Sequence, residues 1–290
     1  LLIIVFLFKD KFQKVEGATM FEKVDTLYTN YVEPIFDNVS LQKKQRTDVT
    51  YDFTCMNNNP ENEIINGLGD FKRATDEIFL SDVQVSINDE INAGNDMLKF
   101  YKSKYTVLTS GNIYNYLRNI LDDLTIRIAK PRGFNYQIYY IKADVDNVLT
   151  LGGKIFVFEK FYKRFNNSSE VAAIIGHEIA HNEIGHSISD VKKYKLAKEI
   201  PFGDIFLNIE RELTSSFNQK QEVEADLFGI DLLMASTYNS CSSIDFWKRL
   251  ANNERQNRID NFFSSHPPSN SRLRCIRNHL KSNYNINCNW

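Results

Sequence analysis

The chain has 290 residues, a formal net charge of −2 and a hydrophobic fraction of 42%. These values are ordinary for a globular protein and leave room for one large or two modest domains, each with a proper core. Because the net charge is close to zero and no basic patch with interleaved aromatic residues is visible, nucleic acid is not an expected partner.

The N-terminus begins with an apolar run, Leu1 to Phe8, which is followed by polar residues. Eight residues are too few to cross a bilayer, which takes about 20. The run fits the end of a signal peptide or membrane anchor, and a buried strand is the alternative. We interpret residues 1–11 as such a remnant. The protein is then exported (periplasmic or extracellular) or membrane-anchored, with an N-terminus that can associate with a membrane.

Residues 12–105 carry no motif that we can interpret, and their role stays open. The four cysteines follow no C-x-x-C metal pattern: Cys55, Cys241, Cys275 and Cys288. In an exported protein, one or two disulfides would hold the C-terminal region, whereas in a cytosolic protein these residues would be buried thiols. The pairing does not follow from the sequence.

Helical spacing from about Asp89 to Phe100 predicts one helix before residue 160, and a further helix and two strands follow it. Tyr114–Ile126 has helical spacing, and Tyr136–Ile141 alternates as a strand. Ile155–Phe158 is a second apolar strand, and the preceding pair Gly152-Gly153 allows a close approach of the backbone. If this second strand lies at a sheet edge, an extended peptide can pair with it through main-chain hydrogen bonds. The alternative is an ordinary core strand.

The segment from Gly176 to His181 reads G-H-E-I-A-H and contains the spacing H-E-x-x-H. The preceding residues predict a helix, with an N-cap at Asn167 and an apolar run after it. Positions four apart lie on one helix face, so His177 and His181 can bind a single ion. Glu178 lies one residue around the helix, where it can reach a water on that ion. Imidazole ligands and an open coordination position favour zinc.

A polar helix with surface histidines is the alternative, but the residues before His177 are almost all apolar and should be buried. Buried histidines beside a buried glutamate need partners, and a metal supplies them. A metzincin would have glycine at position 184 and histidine at position 187. Ile184 and Ser187 occupy these positions, so the third ligand must come from elsewhere.

A second helix, predicted around residues 221–234, offers this third ligand. Glu222 and Asp226 lie one turn apart, so one can bind the metal while the other bonds the free ring nitrogen of a ligand histidine. Glu224 lies about 200° around the helix from Glu222 and cannot face the same metal. A solvated acidic helix face is the alternative for the acidic pair.

The combination of G-H-E-I-A-H, E-x-x-A-D-x-x-G and a late H-P-P resembles the M48-type gluzincin metallopeptidases, the group of Ste24, HtpX, OMA1 and BepA. The resemblance covers roughly residues 106–285. It implies one zinc ion per chain, bound by His177, His181 and Glu222, with Glu178 as the general base. His186 also matches a histidine that often follows the motif in that group.

The resemblance also assigns residues around this centre. Asp226 would bond a ligand histidine, and Arg272 would help to order the site. His266, in the H-P-P motif, would stabilise the oxyanion of the reaction or gate the zinc. The Gly-Gly strand resembles the strand that precedes the metal helix in the family, which makes a set of candidate substrate-binding residues: Gly152, Gly153, Lys154 and Ile155. Asp146 and Leu151 depart from the family pattern there, where asparagine and proline are expected.

Together these features predict an α+β, zincin-like fold for residues 106–290, mainly helical with a small sheet packed on the H-E-x-x-H helix. The predicted function is that of a zinc endopeptidase acting on polypeptides, in protein quality control at or near a membrane. One alternative is a zinc-containing chaperone-like or peptide-binding module with little proteolytic activity. Another is a structural or interaction protein that depends on its first hundred residues.

Overall fold

The computed structural model describes residues 43–56, 80–198, 219–253 and 270–288. The helices are α1 Ile87–Lys104, α2 Asn112–Thr125, α3 Glu159–Tyr162, α4 Ser168–Ile184, α5 Ile188–Ala197, α6 Gln219–Ala235, α7 Ser240–Asn253 and α8 Asn270–Tyr284. The strands are β1 Thr106–Leu108, β2 Gln137–Lys142, β3 Val148–Leu151 and β4 Lys154–Phe158. None of the helices within these ranges combines the length and apolar character that a bilayer crossing requires. The interpretations of residues 1–11 and of His266 concern residues outside the described ranges.

The strands form one mixed sheet in the order β1-β2-β4-β3. The pair β2–β4 is parallel, whereas β1–β2 and β3–β4 are antiparallel. Both faces of the sheet are apolar because the polar residues of the strands, apart from Thr150, lie at strand ends. One face presents Ile138, Tyr140, Ile155 and Val157, and the other presents Tyr139, Ile141, Phe156 and Phe158. Such a sheet needs a helical layer on each side.

Helices α2 and α4 cover the first face, in the larger apolar cluster of the protein. Helices α1 and α5 cover the second face through a smaller cluster that includes Met97, Tyr101 and Tyr194. The predicted mainly helical α+β architecture with a small sheet is therefore confirmed. The second helical layer comes from residues 87–104, for which the sequence predicted no role.

The strand after Gly152-Gly153 does not lie at the sheet edge that would admit a peptide. Strand β4 pairs with β2 on one side and with β3 on the other, so it is internal, and β3 forms the edge. The two glycines have φ values of +57° and +78° and make a two-residue turn, which folds β3 back onto β4. The expectation of an edge strand at Ile155–Phe158 was wrong because β3 was not recognised as a strand.

Two disulfides use all four cysteines. Cys241–Cys288 closes a C-terminal loop, whereas Cys55–Cys275 joins the segment before residue 57 to helix α8 across 220 residues. The described residues from Lys44 onwards form one compact unit, and Gln45 donates a backbone hydrogen bond to the carbonyl of Arg127. The disulfide Cys55–Cys275 therefore connects the N-terminal part of this unit to helix α8.

Candidate metal centre

Helix α4 carries the H-E-x-x-H motif and is buried on every side from Glu170 to Asn182. Its first turn is capped by the side chain of Asn167, which accepts a hydrogen bond from the backbone of Glu170. The helix ends at Gly185, whose φ of +81° is the left-handed conformation typical of a C-terminal cap. The motif therefore lies on a rigid helix that is held in place along its whole length.

A pair of glycines brings helix α6 against helix α4 at the motif. A Cβ atom on Gly176 would lie 3.2 Å from the Cα of Gly229, and one on Gly229 would lie 3.0 Å from the backbone nitrogen of His177. Any larger residue at these positions would push the helices apart. Gly229 lies two turns after Glu222 and on the same face of α6. The close crossing at Gly229 therefore places Glu222 and Asp226 opposite the histidines of α4.

The three predicted ligand groups converge at this crossing. The Nε2 atoms of His177 and His181 are 3.0 Å apart, and each lies 3.5 Å from a carboxylate oxygen of Glu222. Four ligands at about 2.0–2.1 Å from zinc lie about 3.4 Å from one another in a tetrahedron. All three residues are at most 1% exposed. The donor set and its spacing fit a zinc ion with three protein ligands.

Asp226 and Arg272 lie directly behind the ligands. Nδ1 of His177 is 2.9 Å from Oδ1 of Asp226, so this nitrogen carries the proton and Nε2 presents its lone pair to the metal position. Arg272 donates two hydrogen bonds of 2.8 Å to Asp226 and contacts an oxygen of Glu222 at 2.9 Å. One buried arginine therefore holds both a candidate ligand and the partner of another candidate ligand.

Charge interactions favour the ionised forms of Asp226 and Arg272. Burial alone would raise the pKa of Asp226, but the charge of Arg272 and the hydrogen bonds from Arg272 and His177 lower it below its usual value. Burial alone would lower the pKa of Arg272, yet the carboxylates of Asp226 and Glu222 raise it. A charged acid–base pair is thus stable in the interior because each partner is fully hydrogen-bonded.

Trp247, on helix α7, completes the surroundings of Arg272. The guanidinium carbon lies 4.2 Å from the centre of the indole, within the range of a cation–π contact. The same indole meets the His177 ring edge to face at 5.7 Å. Trp247 was missed by sequence reasoning because the described part of α7 carries no motif, although a buried tryptophan beside a charge is a signal that could have been sought.

The last turn of α4 is tied to the Gly-Gly turn. The side chain of Asn182 accepts a hydrogen bond from the backbone of Gly153 at 3.0 Å and donates one to the hydroxyl of Thr150. Arg132 donates to the backbone carbonyl of Asn182 and forms an ion pair with Glu90 of helix α1. The metal helix, the β3–β4 turn and the first helix of the described chain are therefore joined at one place.

The structure thus brings together most of the residues that the sequence singled out: His177, Glu178, His181, Glu222, Asp226 and Arg272. Of the predicted substrate residues, Gly153 donates a backbone hydrogen bond to Asn182, the residue after His181. Lys154 and Ile155 occupy the internal strand β4, and their side chains are buried. His266 lies outside the described residues.

Two histidines in an H-E-x-x-H helix and a glutamate from a neighbouring helix define the metal centre of a metallopeptidase. Comparison with known families supports the same class. The model of peptidase family M48 matches residues 114–280, which is more than half of the chain and includes both helices of the metal centre. The chain therefore belongs to peptidase family M48, as the motifs predicted.

Curated relatives carry matching names. The mitochondrial metalloendopeptidase OMA1 of Schizosaccharomyces pombe is 26% identical over 57% of this chain and 52% of its own length. Metalloprotease YcaL of Escherichia coli is 26% identical over 54% of this chain and 68% of its own. The beta-barrel assembly-enhancing protease of Yersinia pestis is 21% identical over 67% and 44%. The chain thus spans about half the length of the first of these relatives.

Proposed function

We propose that the protein is a zinc-dependent endopeptidase that cleaves polypeptides. The observation that carries this proposal is the buried convergence of His177, His181 and Glu222 at the spacing of a zinc coordination shell. A structural zinc site would have four protein ligands, whereas three leave a position for water or substrate. Membership of family M48 supports the same activity, as do the relatives named as a metalloendopeptidase and a metalloprotease.

The chemistry divides between the metal and Glu178. Zinc bound at this site would supply a Lewis acid and would lower the pKa of a coordinated water towards neutrality. Glu178, the neighbour of His177 on helix α4, takes a proton from the attacking water and returns it to the leaving amine. Asp226 and Arg272 hold the ligand side chains in place during both steps. We keep His266 as the group that stabilises the oxyanion or gates the site, as the resemblance implies.

We further propose that the substrate pairs in extended form with β3, the edge strand of the sheet next to α4, which must uncover its main chain to do so because Val148–Leu151 are at most 4% exposed. Main-chain pairing would give affinity with little side-chain selectivity, which suits the removal of misfolded polypeptides. The turn at Gly152-Gly153 fixes where this edge ends, and Asn182 links the turn to the metal helix. Quality control at or near a membrane is the role that we infer.

The two disulfides support an oxidising compartment, because structural disulfides are rare in reducing ones. One relative is named as a mitochondrial enzyme, so the relatives do not restrict the compartment to the outside of a cell. We propose an exported or membrane-anchored protein.

The proposal is tested by the substitution Glu178→Gln, assayed on an unfolded polypeptide beside the wild type and the control Glu159→Gln, which changes a half-exposed glutamate on α3. We expect cleavage to fall by about 10²–10⁴-fold in Glu178→Gln only, because the general base is lost while the ligands remain. Cleavage at the wild-type rate would contradict the proposal. Protection of the polypeptide from aggregation without cleavage by any of the proteins would support the chaperone-like module instead.

A further inference from the structure

The two metal-binding histidines are supported in different ways. His177 bonds Asp226 directly, and the side chain of Asp226 is 1% exposed. The Nδ1 atom of His181 instead meets a second histidine. Its Nδ1 lies 2.9 Å from Nδ1 of His186, and Nε2 of His186 lies 3.4 Å from Oε2 of Glu224.

The distances along this row of His181, His186 and Glu224 suit one set of proton positions. Glu224 only accepts, so Nε2 of His186 carries a proton and donates it. With that proton on Nε2, Nδ1 of His186 accepts the proton of Nδ1 of His181. Nε2 of His181 then carries no proton, and it lies beside Glu222 and Nε2 of His177. The row therefore selects the ring form of His181 that can bind a metal.

Glu224 reaches this position because it lies on the flank of helix α6, away from the face that carries Glu222. The same angular separation that excludes Glu224 as a ligand points it towards the end of helix α4, where Gly185 turns the chain and places His186 beside His181. The side chain of Glu224 is 33% exposed, whereas that of Glu222 is fully buried. One end of the row is therefore at the surface.

We propose that His186 and Glu224 form a positioning relay that fixes the ring of His181, so that a residue at the protein surface sets the affinity of the buried site for zinc. This inference rests on the proposed zinc site. The relay gives His181 the carboxylate support that ligand histidines in zinc proteins usually receive directly. Neither relay residue touches the metal position, so both are positioning residues.

The test is a metal titration of the metal-free protein in a Trp290→Phe background, which leaves Trp247 as the single tryptophan of the chain. Because the Trp247 indole lies 5.7 Å from the ring of His177, Co²⁺ bound at the site should quench its fluorescence, and Zn²⁺ competition then gives the zinc affinity. Glu224→Gln is compared with Glu159→Gln, which removes the same charge at a side chain of the same exposure, 34% against 33%.

We expect Glu224→Gln to weaken zinc binding by about 10-fold or more, since changes behind a zinc ligand cost about 10–100-fold. Glu159→Gln should bind as the wild type does. His186→Asn retains an acceptor near the Nδ1 position but breaks the link to Glu224, so it should match Glu224→Gln. The double variant should bind no more weakly than either single variant, because the two residues act as one unit.

Thermal unfolding of the metal-free variants separates positioning from a structural role. The relay predicts weaker zinc binding with an unchanged midpoint for Glu224→Gln, whereas a structural role would lower the midpoint. Wild-type affinity in Glu224→Gln would overturn the relay while leaving the zinc site intact. Failure of the wild type itself to bind Co²⁺ or Zn²⁺ would overturn the site, and the relay with it.

Discussion

Arg272 is the residue on which the charges of the metal centre depend. Its side chain is 2% exposed, and it contacts the ligand Glu222 and the histidine partner Asp226 at hydrogen-bonding distance. Removing one member of such a buried group leaves an uncompensated charge and costs about 3–5 kcal/mol. Arg272 makes its hydrogen bonds in the plane of the guanidinium, and the indole of Trp247 covers one face of that plane.

We therefore expect Trp247→Ala to weaken zinc binding. The same substitution should lower the free energy of unfolding by about 3–5 kcal/mol, because it leaves a cavity. Trp247→Phe keeps a ring over Arg272 and should restore most of the zinc affinity. Urea unfolding of the metal-free proteins and zinc titration measure the two effects. Wild-type zinc affinity in Trp247→Ala would show that the stack on Arg272 does not hold the site.

At the scale of elements, helix α1 belongs to the framework of the site. It packs so closely on the β3–β4 turn that a Cβ atom on Gly94 would lie 2.4 Å from the carbonyl oxygen of Leu151. One turn earlier, Glu90 forms an ion pair with Arg132, which in turn holds the C-terminal end of α4. A segment without any recognisable motif thus positions both the metal helix and the sheet edge.

Glu90→Gln tests this framework, because it leaves the charge of Arg132 without its partner at the α4 end. We expect a loss of about 1–3 kcal/mol in the free energy of unfolding, since Glu90 is 2% exposed, and a fall in kcat/KM. Asp122→Asn is the control, as it breaks the exposed pair with Arg118 and should cost less than about 1 kcal/mol. Equal effects of the two substitutions on stability and on kcat/KM would refute the proposed framework.

The elements that the sequence predicted are those with a strong local pattern. The predicted helix Tyr114–Ile126 is α2, and the predicted strand Tyr136–Ile141 is β2, each within two residues at either end. The helical spacing of the motif also predicted which side chains could meet. Strand β3 was missed because Val148–Leu151 is a short buried run without alternation, which does not distinguish a strand from other buried segments.

The contacts that the sequence did not predict join residues far apart in the chain. The Glu90–Arg132 pair spans 42 residues, and the Arg272–Asp226 pair spans 46. A local pattern does not specify which partner a charged side chain will find. The Asp226–Arg272 proximity was expected only from the family resemblance. Glu224 lies outside the group of His177, His181 and Glu222, and its bond to His186 depends on the turn at Gly185.

At the scale of the whole molecule, the segment around Cys55 is joined to helix α8 near the C-terminal end of the described chain. The disulfide Cys55–Cys275 lies one helical turn beyond Arg272. Nearby, the buried carboxylate of Asp231 accepts hydrogen bonds from the hydroxyls of Tyr51 and Tyr284 and from His279. The helix that supplies Arg272 is therefore fixed by a covalent bond and by a buried polar cluster.

The two disulfides should contribute unequally to stability. Cys55–Cys275 spans 220 residues and Cys241–Cys288 spans 47, so chain entropy alone makes the first bond more stabilising by about 1.4 kcal/mol. We expect the double substitution of Cys55 and Cys275 by alanine to lower the free energy of unfolding more than that of Cys241 and Cys288. Urea unfolding of both double variants measures the difference, and the opposite order would contradict this account.

The most direct test of the metal centre is the zinc content of the purified protein, measured by elemental analysis after dialysis. The wild type is compared with Glu222→Gln and with the control Glu159→Gln. We predict one zinc ion per chain in the wild type and in the control, and a sharp loss in Glu222→Gln, because the carboxylate that closes the coordination shell is gone. Full retention of zinc by Glu222→Gln, or its absence from the wild type, would contradict the proposed centre.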